Sequence, residues 1–170
     1  LSNETPWGTM KYLELSETKS LPRVASIQNA YNLVNRGFEI GLSEIAMQEQ
    51  VGLLAYSPLA QGTLTGKYLN GQMPQGSRLA LFGDTPLMMR YKGDKTQKAI
   101  EMYVEVAKKF EIDPTQLAIQ FCNIQPFVTS NIIGATTMEQ LKICIDSIHL
   151  DINKEIMNEI RKVHKEIPNP

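Results

Sequence analysis

Cysteine, histidine and tryptophan are scarce in this sequence, with two, two and one among 170 residues. Two cysteines, Cys122 and Cys144, do not make a disulfide framework, so a reducing cytoplasm is the expected compartment. The two histidines, His149 and His164, both lie in the C-terminal tail as helix-end or surface residues. No Cys/His cluster forms, and no metal site is expected. An excess of charge is missing too: the formal net charge is −1 and the lysines and arginines are scattered. That gives no electrostatic basis for a nucleic-acid partner or an anionic membrane surface, although a local anion site is still allowed. No apolar run approaches the ~20 residues of a membrane helix, and the polar opening "LSNETPWG" shows no signal peptide. Short-period repeats and low-complexity segments are absent.

What is present is an ordinary globular composition, 42% hydrophobic and 21% charged, in a length that suits a single domain over 1–170. Pro6 to Ser20 is expected to be a helix capped by Thr5, and "RVASIQ" (23–28) a short strand. A loop then leads to a helix over 42–50 capped by Ser43. The run "VGLLAY" (51–56) is continuous and apolar, as in a parallel strand buried on both faces. Residues 57–93 are rich in Gly, Pro and Met and weakly periodic, and a loop of that length is usually functional. A strongly amphipathic helix follows at 95–110, and another opens at Asp113-Pro114 and runs to about Asn123. A strand at 128–134, a helix at 136–148 capped by Thr136 or Thr137, and a last helix from Asp151 complete the chain. Strands alternating with helices imply parallel β/α units. The chain begins with Leu rather than Met, and its opening has the character of a strand tail, so a fragment or a processed chain is expected.

In parallel β/α architectures ligands bind at the carboxyl ends of strands. Those ends carry Ser2-Asn3, Gln28-Asn29, Tyr56-Ser57 and Gly134-Ala135-Thr136. Asn3 and Gln28 can each donate and accept, and so could grip a carboxamide from two sides. Tyr56 offers a flat face to a planar ring. Ser57, Thr63, Thr65 and Lys67, with glycines between them, could surround a phosphate. Gly134 to Thr137, at a helix start, adds a backbone anion site. Carboxamide, flat ring and two phosphate sites together describe a nicotinamide dinucleotide.

The stretches "IQNAYNLVNR", "LLAYSPLAQGTLTGKYLNG", "DPTQLAIQF" and "IIGATTMEQL", with the opening "LSNETPWG", resemble the C-terminal half of the aldo-keto reductase superfamily. The likeness is to the bacterial branch that also resembles voltage-gated potassium-channel β subunits, and it covers essentially the whole chain. It implies an α/β fold: the C-terminal half of a (β/α)8 barrel, about four parallel β/α units with extra C-terminal helices at 151–170. It implies NADPH lying across the barrel mouth. Ser2, Asn3 and Gln28 would hold the nicotinamide carboxamide, and Tyr56 would stack on the ring. Ser57, Pro58, Leu59 and Gly62 would line the pyrophosphate, with Lys67 on phosphate and Arg78 on the 2′-phosphate. Gly134, Thr136 and Gln140 would meet the adenosine phosphate end, and the 57–93 segment would close over the cofactor. Ile143 and Cys144 stand where the family often has Glu and Asn facing the adenine amine, so adenine is expected to be held by packing. The family's catalytic Asp, Tyr, Lys and His lie on its first four strands, and none of them is assigned here.

The implied activity is reduction of an aldehyde or ketone by hydride transfer from NADPH, with a small-molecule carbonyl substrate. The alternatives are a non-catalytic half-barrel that self-associates and an NADPH-binding regulatory subunit. Three and a half strands cannot close a barrel. Val24, Ile27, Leu54 and Ile132 are expected on an inward face needing cover, which suggests a homodimer completing a barrel-like core.

Overall fold

The computed structural model describes residues 1–83 and 85–170, and Asp84, within the long segment expected to cover the cofactor, lies outside them. Helix α1 (Pro6–Thr18) begins where expected: Thr5 accepts from the Gly8 amide, and Pro6 takes the first helical position, where its missing N–H costs nothing. Strand β1 is Ser26–Ala30, shifted later than the expected 23–28, so Gln28 sits mid-strand rather than just past its end. Helix α2 (Leu42–Gln48) is not capped by Ser43. Gly41 occupies the cap with a left-handed φ of 86°, and the Ser43 hydroxyl donates to the Glu39 carbonyl at 3.0 Å from inside the first turn. Strand β2 is Gly52–Tyr56.

Residues 57–93 are not one loop. They contain 3₁₀ turns at Ala60–Thr65 and Leu69–Gly71 and two short helices, α3 (Arg78–Phe82) and α4 (Pro86–Met89). Polar anchors hold the segment down. The buried Asn32 side chain donates to the Ser57 carbonyl at 2.9 Å and to the Tyr91 hydroxyl at 3.1 Å, tying both ends of the segment to the turn after β1.

Helix α5 (Asp94–Lys109) buries Ala99, Ile100, Tyr103, Val104 and Ala107, the stripe its periodicity requires. Asp113 caps α6 (Pro114–Asn123) through the Thr115 and Gln116 amides. Strand β3 is Val128–Ile132, two residues shorter than expected, followed by α7 (Met138–Asp146) with Thr137 as cap. The last helix, α8 (Lys154–Glu166), is capped by Asn153 rather than opened by Asp151, because the Asn153 side-chain Oδ1 accepts from the Glu155 and Ile156 amides at 2.9 and 3.0 Å.

The fold is α/β. Among the described residues, three strands form one open parallel sheet in the order β1-β2-β3. A fourth contribution is a single parallel bridge from Ser2 to Gln28, beside β1. Alternation divides the sheet. Ile27, Leu53 and Ala55 are fully buried and join a core with Leu117, Ala118 and Phe121 of α6. Gln28, Leu54, Tyr56, Ser130 and Ile132 are register neighbours on the other face and remain exposed or half-buried. The expectation that Ile27 shares a face with Leu54 and Ile132 is therefore wrong. A period of two puts odd and even positions of paired strands on opposite faces, and Ile27 pairs with Leu53.

Candidate functional site

The site forms where β1, β2 and β3 end. At the β1 edge the backbone makes the first contact: the Asn3 amide donates to the Gln28 carbonyl at 2.9 Å, and the Gln28 amide to the Leu1 carbonyl at 2.9 Å. This brings Ser2, Asn3 and Gln28 together. The Asn3 side-chain amide donates to Ser2 Oγ at 3.2 Å. The Tyr56 phenol closes the group by donating to Asn3 Oδ1 at 2.7 Å, and Arg90 Nη1 reaches the same phenol oxygen at 3.5 Å. Asn3 has a left-handed φ of 52°, which Asn tolerates better than most residues.

Immediately past Tyr56 the chain turns back on itself. Ser57, Ala60 and Gln61 adopt φ of 54°, 47° and 63°, and Gly62 follows at 92°. Two short amide bonds, Ala60 to the Ser57 carbonyl at 2.9 Å and Gly62 to the Leu59 carbonyl at 2.8 Å, fix the turn. Left-handed backbone is costly for side chains other than Gly, at about 1–2 kcal/mol per residue. A run of it persists here because buried contacts hold it. Gly62 meets a second demand, since a Cβ there would come within 3.3 Å of the Lys67 Cε and Nζ. Lys67 is not a freely solvated cation: it is half-buried, with its Nζ 5.1 Å from the Tyr68 ring centroid.

The turn forms one wall of a groove of about 760 Å³ that runs from Tyr56 to α7. Ser57, Pro58, Leu59 and Gly62 lie along it, with Lys67 and Arg78 beside them. Gly134, Thr136 and Gln140 line the far wall with Ile143 and Cys144. Ten of the thirteen expected site residues thus share one cavity, and the other three, Ser2, Asn3 and Gln28, cluster at its Tyr56 end. Among the described residues, the charged side chains lining the groove are Lys67 and Arg78, with no Asp or Glu. Such a groove suits a polyanion, so the residues present fit a dinucleotide phosphate.

Three details differ from the sequence expectation. Gln140 is already engaged, its Oε1 accepting from the Thr136 amide and hydroxyl at 3.1 Å each, while Thr137 accepts from the Gln140 amide. This reciprocal cap uses groups expected to meet a ligand. Gly134 is exposed, and a Cβ there would touch nothing within 4 Å, so the protein itself imposes no need for glycine at that position. Cys144 is buried in the far wall, and burial, with Asp113 nearby, pushes its thiol up and keeps it protonated.

Sequence reasoning passed over Gln61, Asn32 and Arg90. Gln61 is inside the quoted motif, but an amide between two small residues carries no pattern. Asn32 looked like an ordinary loop residue. Arg90 sits in weakly periodic sequence, and only the return of the chain to Tyr56 makes it a neighbour of the site.

A second polar cluster lies away from the groove. Arg36 pairs with Glu39 through two bonds of 2.7 and 2.8 Å, and the buried Tyr31 phenol donates to Glu39 at 2.6 Å. Burial pushes the Glu39 carboxyl up, but the bonds from Arg36 and Tyr31 outweigh it and hold it below the usual carboxylate range. His164 approaches this cluster from α8, and its Nδ1 is buried without a partner. It is a helix-end residue, as the sequence suggested, in the last turn of α8 and half-buried. Among the described residues no group of three or more His, Cys, Asp or Glu is placed to hold a metal ion. No helix of the described residues is long and apolar enough to cross a membrane.

The family model described as "Aldo/keto reductase family" matches residues 1–165. Protein tas of Escherichia coli (strain K12) is 50% identical over 165 residues, 97% of this chain and 47% of that protein. L-glyceraldehyde 3-phosphate reductase of the same organism is 35% identical over 148 residues, 84% of this chain and 41% of that protein. A probable voltage-gated potassium channel subunit beta of Oryza sativa subsp. japonica is 33% identical over 175 residues, 95% of this chain and 53% of that protein. The chain spans about half the length of the curated relatives it matches.

Proposed function

Because this chain belongs to the aldo/keto reductase family, we propose that it supplies the NADPH-binding half of a carbonyl reductase. The observation that carries this reading is the groove itself: among the described residues its walls carry two cations and no carboxylate, with an aromatic and an amide cluster at one end. NADPH would supply a hydride to an aldehyde or ketone when bound. Ser2, Asn3 and Gln28 would orient the carboxamide, and the Tyr56 ring would limit the nicotinamide on one face. The turn at 57–62 would follow the pyrophosphate, with Lys67 and Arg78 neutralising phosphate charge. Ile143 and Cys144 would offer the adenine packing contacts without a carboxylate. The segment from α3 to Tyr91 would lie over the cofactor, with Asn32 as its anchor.

Residues 1–170 by themselves are expected to bind the cofactor but to reduce carbonyls slowly. The phenol at the ring end, Tyr56, gives its proton to Asn3 and has Arg90 on its oxygen, a poor arrangement for donating to substrate. Calorimetric titration tests the binding. NADPH should bind more tightly than NADH, and Arg78→Ala should weaken NADPH far more than NADH. Each charge-assisted bond to a 2′-phosphate is worth ~1.5–3 kcal/mol, at least about tenfold. Absence of NADPH binding, or equal losses of both cofactors, overturns the reading. Loss of NADPH absorbance with an aldehyde panel tests turnover, and rapid turnover unaffected by Tyr56→Phe and Tyr31→Phe would put the chemistry elsewhere.

A further inference from the structure

Gln61 is only 6% exposed, yet both ends of its side-chain amide are occupied. Its Nε2 donates to Ser57 Oγ at 3.0 Å, and its Oε1 accepts from Arg78 Nη1 at 2.5 Å. Arg78 is 17 residues further along, on the first residue of the five-residue helix α3. A long guanidinium stem on such a short element would otherwise sample many rotamers. The backbone accounts for the direction of the amide. Ala60, Gln61 and Gly62 are successive left-handed residues, and they turn the Gln61 side chain into the groove wall rather than out to solvent. The chemistry of the acceptor matters as much as its position. A neutral amide fixes the guanidinium without itself cancelling its charge, and it occupies one N–H donor of the fork. A carboxylate in the same place would fix it equally well and cancel its charge.

We propose that Gln61 is a positioning residue for selection of the 2′-phosphorylated cofactor, acting through Arg78. This rests on the reading of the groove as the NADPH site. Gln61 holds Arg78 across the groove before the ligand arrives, and it links that guanidinium to Ser57 on the pyrophosphate side. The chain thereby spends part of the ordering cost of the 2′-phosphate contact during folding rather than at binding.

The test uses the full chain with two ligand pairs that differ only at the 2′ position: NADPH against NADH, and adenosine 2′,5′-bisphosphate against adenosine 5′-monophosphate. Affinities are measured by calorimetry for the wild type, Gln61→Met and Gln61→Glu. The wild type should prefer the 2′-phosphorylated member of each pair. Gln61→Met should cut that preference about fivefold to tenfold, the scale of one bond to a charged group. NADH and the monophosphate should weaken less than their 2′-phosphorylated partners, since only the Ser57 contact, and not the Arg78 contact, bears on them. Gln61→Glu should cut the preference further while melting no lower than the wild type, because an ion pair replaces a neutral contact. A merely structural residue cannot give that combination of retained stability and lost selectivity. Equal weakening of all four ligands, an unchanged preference in both variants, or a wild type without preference overturns the proposal. Selection within the adenosine pair that depends on Gln61, without binding of either dinucleotide, overturns the cofactor reading and leaves this role standing. NADPH binding with a preference indifferent to Gln61 does the reverse.

Discussion

At the scale of single residues, the partly buried Arg36–Glu39–Tyr31 cluster and His164 make stability depend on pH. The Glu39 carboxyl is held below the usual range in the folded chain. Its contribution is therefore complete above the ordinary carboxylate value and is lost as pH falls through the folded value. His164 is lowered by burial and by the nearby Arg36 guanidinium, with Glu39 opposing. The unfolded chain takes up that proton first, so stability starts to decline once pH falls below the ordinary histidine value of about 6.5. Melting temperatures across pH 2–8 should fall in two stages, the first below about 6.5 and the second below about 4.3. His164→Gln should remove the first stage and leave the second. Glu39→Gln should cost about 1.5–3 kcal/mol at neutral pH, the scale of losing a hydrogen bond to a charged group. A flat melting profile between pH 5 and 7 in the wild type would show that the histidine does not report on folding.

At the scale of elements, the 57–66 turn sets the shape of the groove. Gly62 combines a left-handed φ of 92° with a side-chain cation 3.3 Å from where a Cβ would be. Gly62→Ala should destabilise the chain by about 1–2 kcal/mol, the left-handed penalty. It should also displace Lys67, so NADPH and NADH should weaken together, in contrast to the selective effect expected at Gln61. Thermal melts and titrations on one preparation check both. Wild-type affinity for both cofactors would show that Lys67 does not sit on phosphate. The helices around this turn are ordinary by comparison. α8 docks on α5 through Ile156, Ile160 and Val163, and its ion pairs Lys98–Glu166 and Lys109–Glu159 involve exposed groups worth little.

At the scale of the whole molecule, the sheet has one face under helices and one without. Leu54 and Ile132 on the open face are partly exposed, Ile132 by 40%. Trp7 and Met10 of α1, and Met138 and Ile145 of α7, are also exposed. Apolar surface in such amounts tends to find cover. Our hypothesis is that residues 1–170 self-associate through this face, the sheets of two copies forming a shared core. Light scattering behind size exclusion, across a dilution series, should show a dimer that dissociates on dilution, and Leu54→Glu should give a monomer. A well-folded wild-type monomer at every concentration would end the idea. This outcome bears on assembly alone, because the groove lies within one chain.

Several features followed from sequence alone for local reasons. Thr5, Asp113 and Thr137 cap helices because a side-chain oxygen needs only the next two or three amides. The stripe on α5 was visible because a helix repeats every 3.6 residues whatever surrounds it. The motif from Tyr56 to Lys67 marked the groove, since its small, hydroxyl and cationic groups are contiguous in the chain. Other features needed contacts between distant segments. The partition of Ile27 from Leu54 depends on strand register, set by pairing between β1 and β2. The bond from Arg78 to Gln61, the anchor at Asn32 and the approach of Arg90 to Tyr56 span 17, 59 and 34 residues. Such meetings leave no period or spacing in a sequence: local chemistry decides which groups a chain carries, and only tertiary packing decides which of them touch.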